Sequence, residues 1–146
     1  MGDRCFIQVT VPRIDCPALL GLFERWGMAL DWNADHIRAE GEEINYGGAD
    51  MLAELQELEI PFIGFHGRGD AYSAARFAFD GETSSLAFCG DDLDAFLIDF
   101  TVDGEPSVRD IARVQHHLRV KKRAKEKVFR TPVEQLAACV ENSESE

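Results

Sequence analysis

The sequence predicts an α+β fold: a mainly antiparallel sheet with three to four helices packed on one face. Three observations carry this. Short β-branched and aromatic runs follow one another between residues 62 and 102, separated by the turn signals GRGD, DGE and GDD. The segment AFLIDFTVD alternates Phe96, Ile98, Phe100 and Val102 with Leu97, Asp99, Thr101 and Asp103, which suits a sheet covered on one side. Apolar residues at helical spacing occupy separate blocks before and after this meander.

Taken in order, CFIQVTV at residues 5–11 reads as a first strand, and Pro12 stops it. Asp15 is placed to cap a helix that tolerates Pro17 in its first turn. Leu19, Leu22, Phe23 and Trp26 share one face of it, and Gly27 is a C-terminal stop. Between 28 and 46, MALDW and HIRAE flank NAD and can pair as a hairpin. Met51, Leu52, Leu55 and Leu58 mark a second helix that Pro61 ends. Strands are expected at 62–66, 72–79, 83–89 and 95–102. Ser107 and Asp110 form a capping box that opens a basic helix over 107–129, with a stripe of Val108, Ile111, Val114 (or Gln115) and Leu118. Thr131, Pro132 and Glu134 open a short last helix. Residues 1–140 are read as a single domain, and 141–146 as a disordered acidic tail.

At 146 residues the chain can bury one core without staples. No apolar run approaches the roughly 20 residues of a membrane span, and MGDRCFIQVTV is no signal peptide, so no membrane is expected and a cytoplasmic location is. Cys5, Cys16, Cys89 and Cys139 are scattered and read as reduced thiols. No ligand cluster with metal spacing and no nucleotide-loop or hydrolase motif is present, so neither metal nor cofactor is expected.

The net charge of -12 is divided unevenly: residues 105–130 carry +6 and the remainder -18. A cationic helix on an acidic body points to a protein partner or to self-association through that helix. Arg119, Lys122, Arg123 and Lys125 are its candidate binding residues. Direct nucleic-acid binding is disfavoured, because no aromatic residue is interleaved for base stacking and the acidic body repels phosphate. Asp99 and Asp103 share a strand face in this reading. They suggest an alternative role as an acidic nucleic-acid mimic that inhibits a nucleic-acid-processing enzyme.

HGRGDAY holds the one constellation that could move a proton, His66, Asp70 and Tyr72, with Arg68 as an anion clamp. The alternative is an open hairpin tip in which Gly67 and Gly69 supply positive φ for a four-residue turn. The chain is therefore read as a non-enzymatic binding or regulatory module, and a small enzyme built on that trio is the third reading.

Overall fold

The computed structural model describes residues 4–45 and 48–129. Its elements run β1 (Arg4–Pro12), α1 (Pro17–Arg25), β2 (Ala29–Trp32), β3 (His36–Asn45), α2 (Ala49–Glu57), β4 (Phe62–His66), β5 (Ala75–Phe79), β6 (Ser84–Phe88) and α3 (Val108–Val128). All six strands join one antiparallel sheet in the order β2-β3-β1-β4-β5-β6. The α+β class stands, and so does the hairpin between 28 and 46, where Trp32 faces Ile37. The expected last helix at 131–140 and the acidic tail lie outside the described residues.

The helices are not confined to one face. Register places Val9, Gly64 and Phe77 on one side and Gln8, Phe65 and Arg76 on the other. The first side meets Leu19, Leu22 and Phe23 of α1 and Met51, Leu52 and Leu55 of α2 in the main core. On the second side, Ile63 and Ala78 pack under Val120 and Ala124 of α3. FIGF in β4 is apolar at both parities, as a strand covered on both faces should be, and β5 turns Phe77 and Phe79 to the main core and Ala78 to α3.

The end of α1 follows expectation: Gly27 takes φ +69 and Met28 N–H reaches Phe23 O at 2.9 Å. Its start does not. Cys16, not Asp15, occupies the cap position, and no side chain caps it. Cys16 is also buried and disulfide-bonded, which overturns the reading of four reduced thiols; Cys5 and Cys89 are free and buried.

α3 is rolled relative to the expected stripe. It buries His117, Val120, Ala124 and Val128, whereas Val108 and Leu118 face solvent. Its first turns overhang β6 at the sheet edge, where there is no sheet to cover them. Its later turns cross the sheet and end with Phe129 edge-on to His36 of β3 at 5.2 Å.

The expected strand at 95–102 does not form. It is reduced to single bridges, Cys89 with Phe96 and Phe100 with Pro106. Val102 is fully exposed and Phe100 is 69% exposed. Alternation specifies which residues share a side, but not that a side is covered.

Candidate functional site

Two features of opposite charge are joined through α3: an acidic arm at the β6 edge of the sheet and a basic ridge on the second half of the helix. The first is the arm between β6 and α3, residues 90–106, with Asp91, Asp92, Asp94, Asp99, Asp103 and Glu105 all exposed. Among these carboxylates stand the exposed apolar side chains Leu97, Ile98, Phe100 and Val102, and Val108 opens α3 beside them. The arm is held to α3 by its main chain. Asp99 N–H donates to Asp110 Oδ2 at 2.9 Å, and Ser107 N–H donates to Asp99 O at 2.7 Å. Ser107 Oγ accepts from Asp110 N–H as a capping box requires. The returning half differs, because the Asp110 carboxylate holds the arm and not the cap amide. The side chains of Asp99 and Asp103 therefore stay in solvent, on an irregular arm and not along a strand face.

The second feature is the outer face of α3. Arg119, Lys122, Arg123 and Lys125 are all exposed there, as expected of a solvated basic ridge. Arg123 is committed elsewhere, since its Nε donates to Asp80 Oδ2 at 2.8 Å. Lys127 Nζ donates to the Asp80 carbonyl, so two helical cations fix the β5–β6 turn to α3. Burial would raise the Asp80 carboxyl. The amides of Thr83 and Glu82 and the Arg123 guanidinium outweigh that and hold it at about 2, below the ordinary 3.8. Because the folded value is depressed, this stabilisation is present above pH 3.8 and is lost as pH falls through about 2. Asp80→Asn is expected to lower stability at neutral pH by about 2 kcal/mol. Urea melts at pH 7 and pH 2 check it, and the gap between variant and parent should shrink at the lower pH.

The HGRGDAY segment is not an open hairpin tip. β4 and β5 pair as far as His66 with Ala75, so the connection is eight residues long, 67–74. Neither Gly67 nor Gly69 is among the residues with positive φ. Instead, Gly67 N–H donates to Phe6 O at 2.8 Å and Gly69 N–H to Tyr72 O at 3.1 Å, which folds the loop back on β1. His66 is consequently buried, with Tyr72 edge-on to its ring at 5.4 Å. Asp70 and Arg68 are exposed, and Arg68 reaches out to Asp91 of the arm at 3.6 Å. The structure thus brings His66 and Tyr72 together and sends the Arg68 cation towards the acidic arm.

Sequence reasoning missed a second buried histidine. His117 has no exposed surface and rests Nδ1 against Ser85 Oγ at 2.9 Å, and Phe96 from the arm lies edge-on to its ring. Its Nε2 is buried without a hydrogen-bond partner among the described residues. Cys89, Arg76 and the half-buried Lys121 surround the same region, and burial pushes the thiol up and the ammonium down. A thiol held protonated is a weak nucleophile, so this group reads as the floor under the arm. The only signal for it was the pair His116-His117 on one helix, whose side chains point about 100° apart, so that one of them can turn inward.

Among the described residues, no group of three or more His, Cys, Asp or Glu side chains could hold a metal ion. No described helix is long and apolar enough to cross a membrane. Comparison with protein-family models, with curated proteins and with solved structures finds no match.

Proposed function

We propose that this chain is a non-enzymatic protein-binding module that acts through its charged surfaces and pairs with a second copy of itself. The observation that carries this reading is the arm, where exposed Leu97, Ile98, Phe100 and Val102 stand among carboxylates. A contiguous apolar patch rimmed by charge is a common mark of an interaction surface. The choice of partner rests on charge: the outer face of α3 carries Arg119, Lys122 and Lys125, with exposed Leu118 beside them.

The arm joins α3 at its first turn, and the basic residues lie in its second half. A helix of this length spans about 30 Å. Two copies related by a twofold axis, with their α3 helices antiparallel, set the acidic arm of each over the basic half of the other. That arrangement is self-complementary, as an isologous interface requires. A cytoplasmic location goes with this reading, although a reducing compartment opposes the disulfide at Cys16.

The exposed Asp99 and Asp103 also support the mimic reading, in which the same arm is offered to a nucleic-acid-processing enzyme. Sedimentation velocity separates the two readings. The pairing reading expects a dimer at low salt that weakens at about 0.5 M salt, where screening shortens to a few ångströms. Phe100→Asp with Val102→Asp is expected to weaken it by at least about tenfold. A monomer at both salt levels, or a dimer indifferent to both substitutions, overturns the pairing.

A further inference from the structure

We propose that the cleft between α2 and the β4–β6 end of the sheet is a binding site for a small, neutral, planar aromatic molecule bearing one O–H or N–H donor. α1 and α2 cover only part of their sheet face, and beyond α2 a cleft of about 330 Å³ opens. Leu52 and Gln56, one turn apart on α2, form one wall, and Ser84 and Leu86 of the edge strand form the other. Phe62, Phe77 and His66 line it from the sheet. Volumes near the bottom of the ligand-site range suit a one- or two-ring molecule.

The ring surfaces define the shape of the ligand. Phe77 and Phe62 meet edge-to-face at 5.8 Å, and the His66 ring stacks on Phe77 at 6.4 Å with 25° between planes. Phe77 can lie across β4 only because residue 64 is glycine: a Cβ there would stand 2.7 Å from its ring. The result is an angled aromatic lining, against which a planar ring can stack on one ring and pack edge-on to another.

His66 supplies the polar contact. Its Nδ1 lies 2.8 Å from Gly67 O, and a carbonyl only accepts, so Nδ1 carries the proton. In the neutral ring Nε2 is then an acceptor, and no described residue offers it a hydrogen bond. A donor on the ligand fits this atom. Among the described residues the lining holds no Lys, Arg, Asp or Glu, so nothing compensates a charged ligand for its lost hydration. Gln56 and Ser84 provide further neutral polar groups.

The test is a titration of the full chain followed by amide and imidazole NMR shifts, with p-cresol as probe and toluene as the analogue that lacks the donor. Expected is saturable binding of p-cresol with a dissociation constant of order 1 mM, and shifts centred on Leu52, Gln56, His66 and Phe77. Toluene should bind about tenfold more weakly, as should p-cresol to His66→Phe, which keeps the stack and removes the acceptor. Leu86→Trp lies on the exposed edge strand and fills the cleft, so it should abolish binding with His66 intact. The proposal is overturned by equal affinity for the two probes, by unchanged p-cresol binding to either variant, or by the absence of saturable shifts in the folded protein.

Discussion

Gly64→Ala is expected to lower stability by about 3 kcal/mol or more, the upper end of what overpacking costs. The cause is local. A Cβ at position 64 would stand 2.2 Å from the Gln8 carbonyl oxygen and 2.7 Å from the Phe77 ring. The first obstacle is backbone in the paired strand β1 and cannot swing away as a flexible side chain could. Gly64 sits between Val9 and Phe77 in the middle of the sheet, so relief requires parting β1 from β4 or expelling Phe77 from the core. Gly21→Ala is the control: it lies within α1, and nothing is within 4 Å of its added Cβ. There alanine should stabilise by about 0.5–1 kcal/mol through helix propensity. Denaturant midpoints of the two variants should therefore move in opposite directions, with little change in slope. A Gly64→Ala midpoint within error of the parent would mean that the close approach of β1, β4 and Phe77 is wrong, and with it the aromatic floor of the cleft.

How far the fold could be read in advance depended on whether a pattern had one physical solution. β1 and α2 were legible because CFIQVTV and the Met51-Leu52-Leu55 spacing each allow a single period, and β4 because PFIGFH is a short aromatic and β-branched run bounded by Pro61 and GRGD. The segment 95–102 allowed two. Phe100 and Val102 alternate with acids equally well on a half-covered strand and on an exposed arm, and only the tertiary context distinguishes them. α3 failed by rotation: Val108, Ile111 and Leu118 make one stripe and Val120, Ala124 and Val128 another, and the sheet edge decides which is covered. At the candidate site, the acidic arm and basic helix were visible as composition. The burial of His66 was not, because it depends on the bond from Gly67 to Phe6, sixty-one residues earlier in the chain. Cys16 was misread for the same reason, since compartment arguments carry no geometry.

The largest pH effect is expected at His117. Burial is the main cause that lowers its value from 6.5 to about 4, with the cations of Lys121 and Arg76 and neighbouring His116 adding to it. The unfolded chain therefore binds a proton on this ring below pH 6.5, whereas the folded chain resists until about pH 4. Stability that is complete above 6.5 falls as pH drops towards 4, by about 3 kcal/mol in total. His117→Leu keeps a similar volume, removes the titration and also removes the buried Nε2 that has no partner among the described residues. It forfeits the hydrogen bond with half-buried Ser85, whose hydroxyl can turn to water, and exchanges the edge-on ring contact with Phe96 for aliphatic packing. Its stability at pH 7 should lie within about 1 kcal/mol of the parent, because removing an unpaired buried polar atom offsets the lost hydrogen bond. Between pH 7 and pH 4.5 the parent curve should slope downward and the variant curve should run much flatter. This window lies above the one in which Asp80 acts, so the two titrations separate on the pH axis. Parallel curves for parent and variant would show that acid sensitivity arises elsewhere. The consequence for the arm is direct: Phe96 covers His117, so a proton forced onto that ring should loosen the arm before the sheet melts. If the arm carries the dimer contact, acid should dissociate the pair at a pH where β-sheet content is still intact.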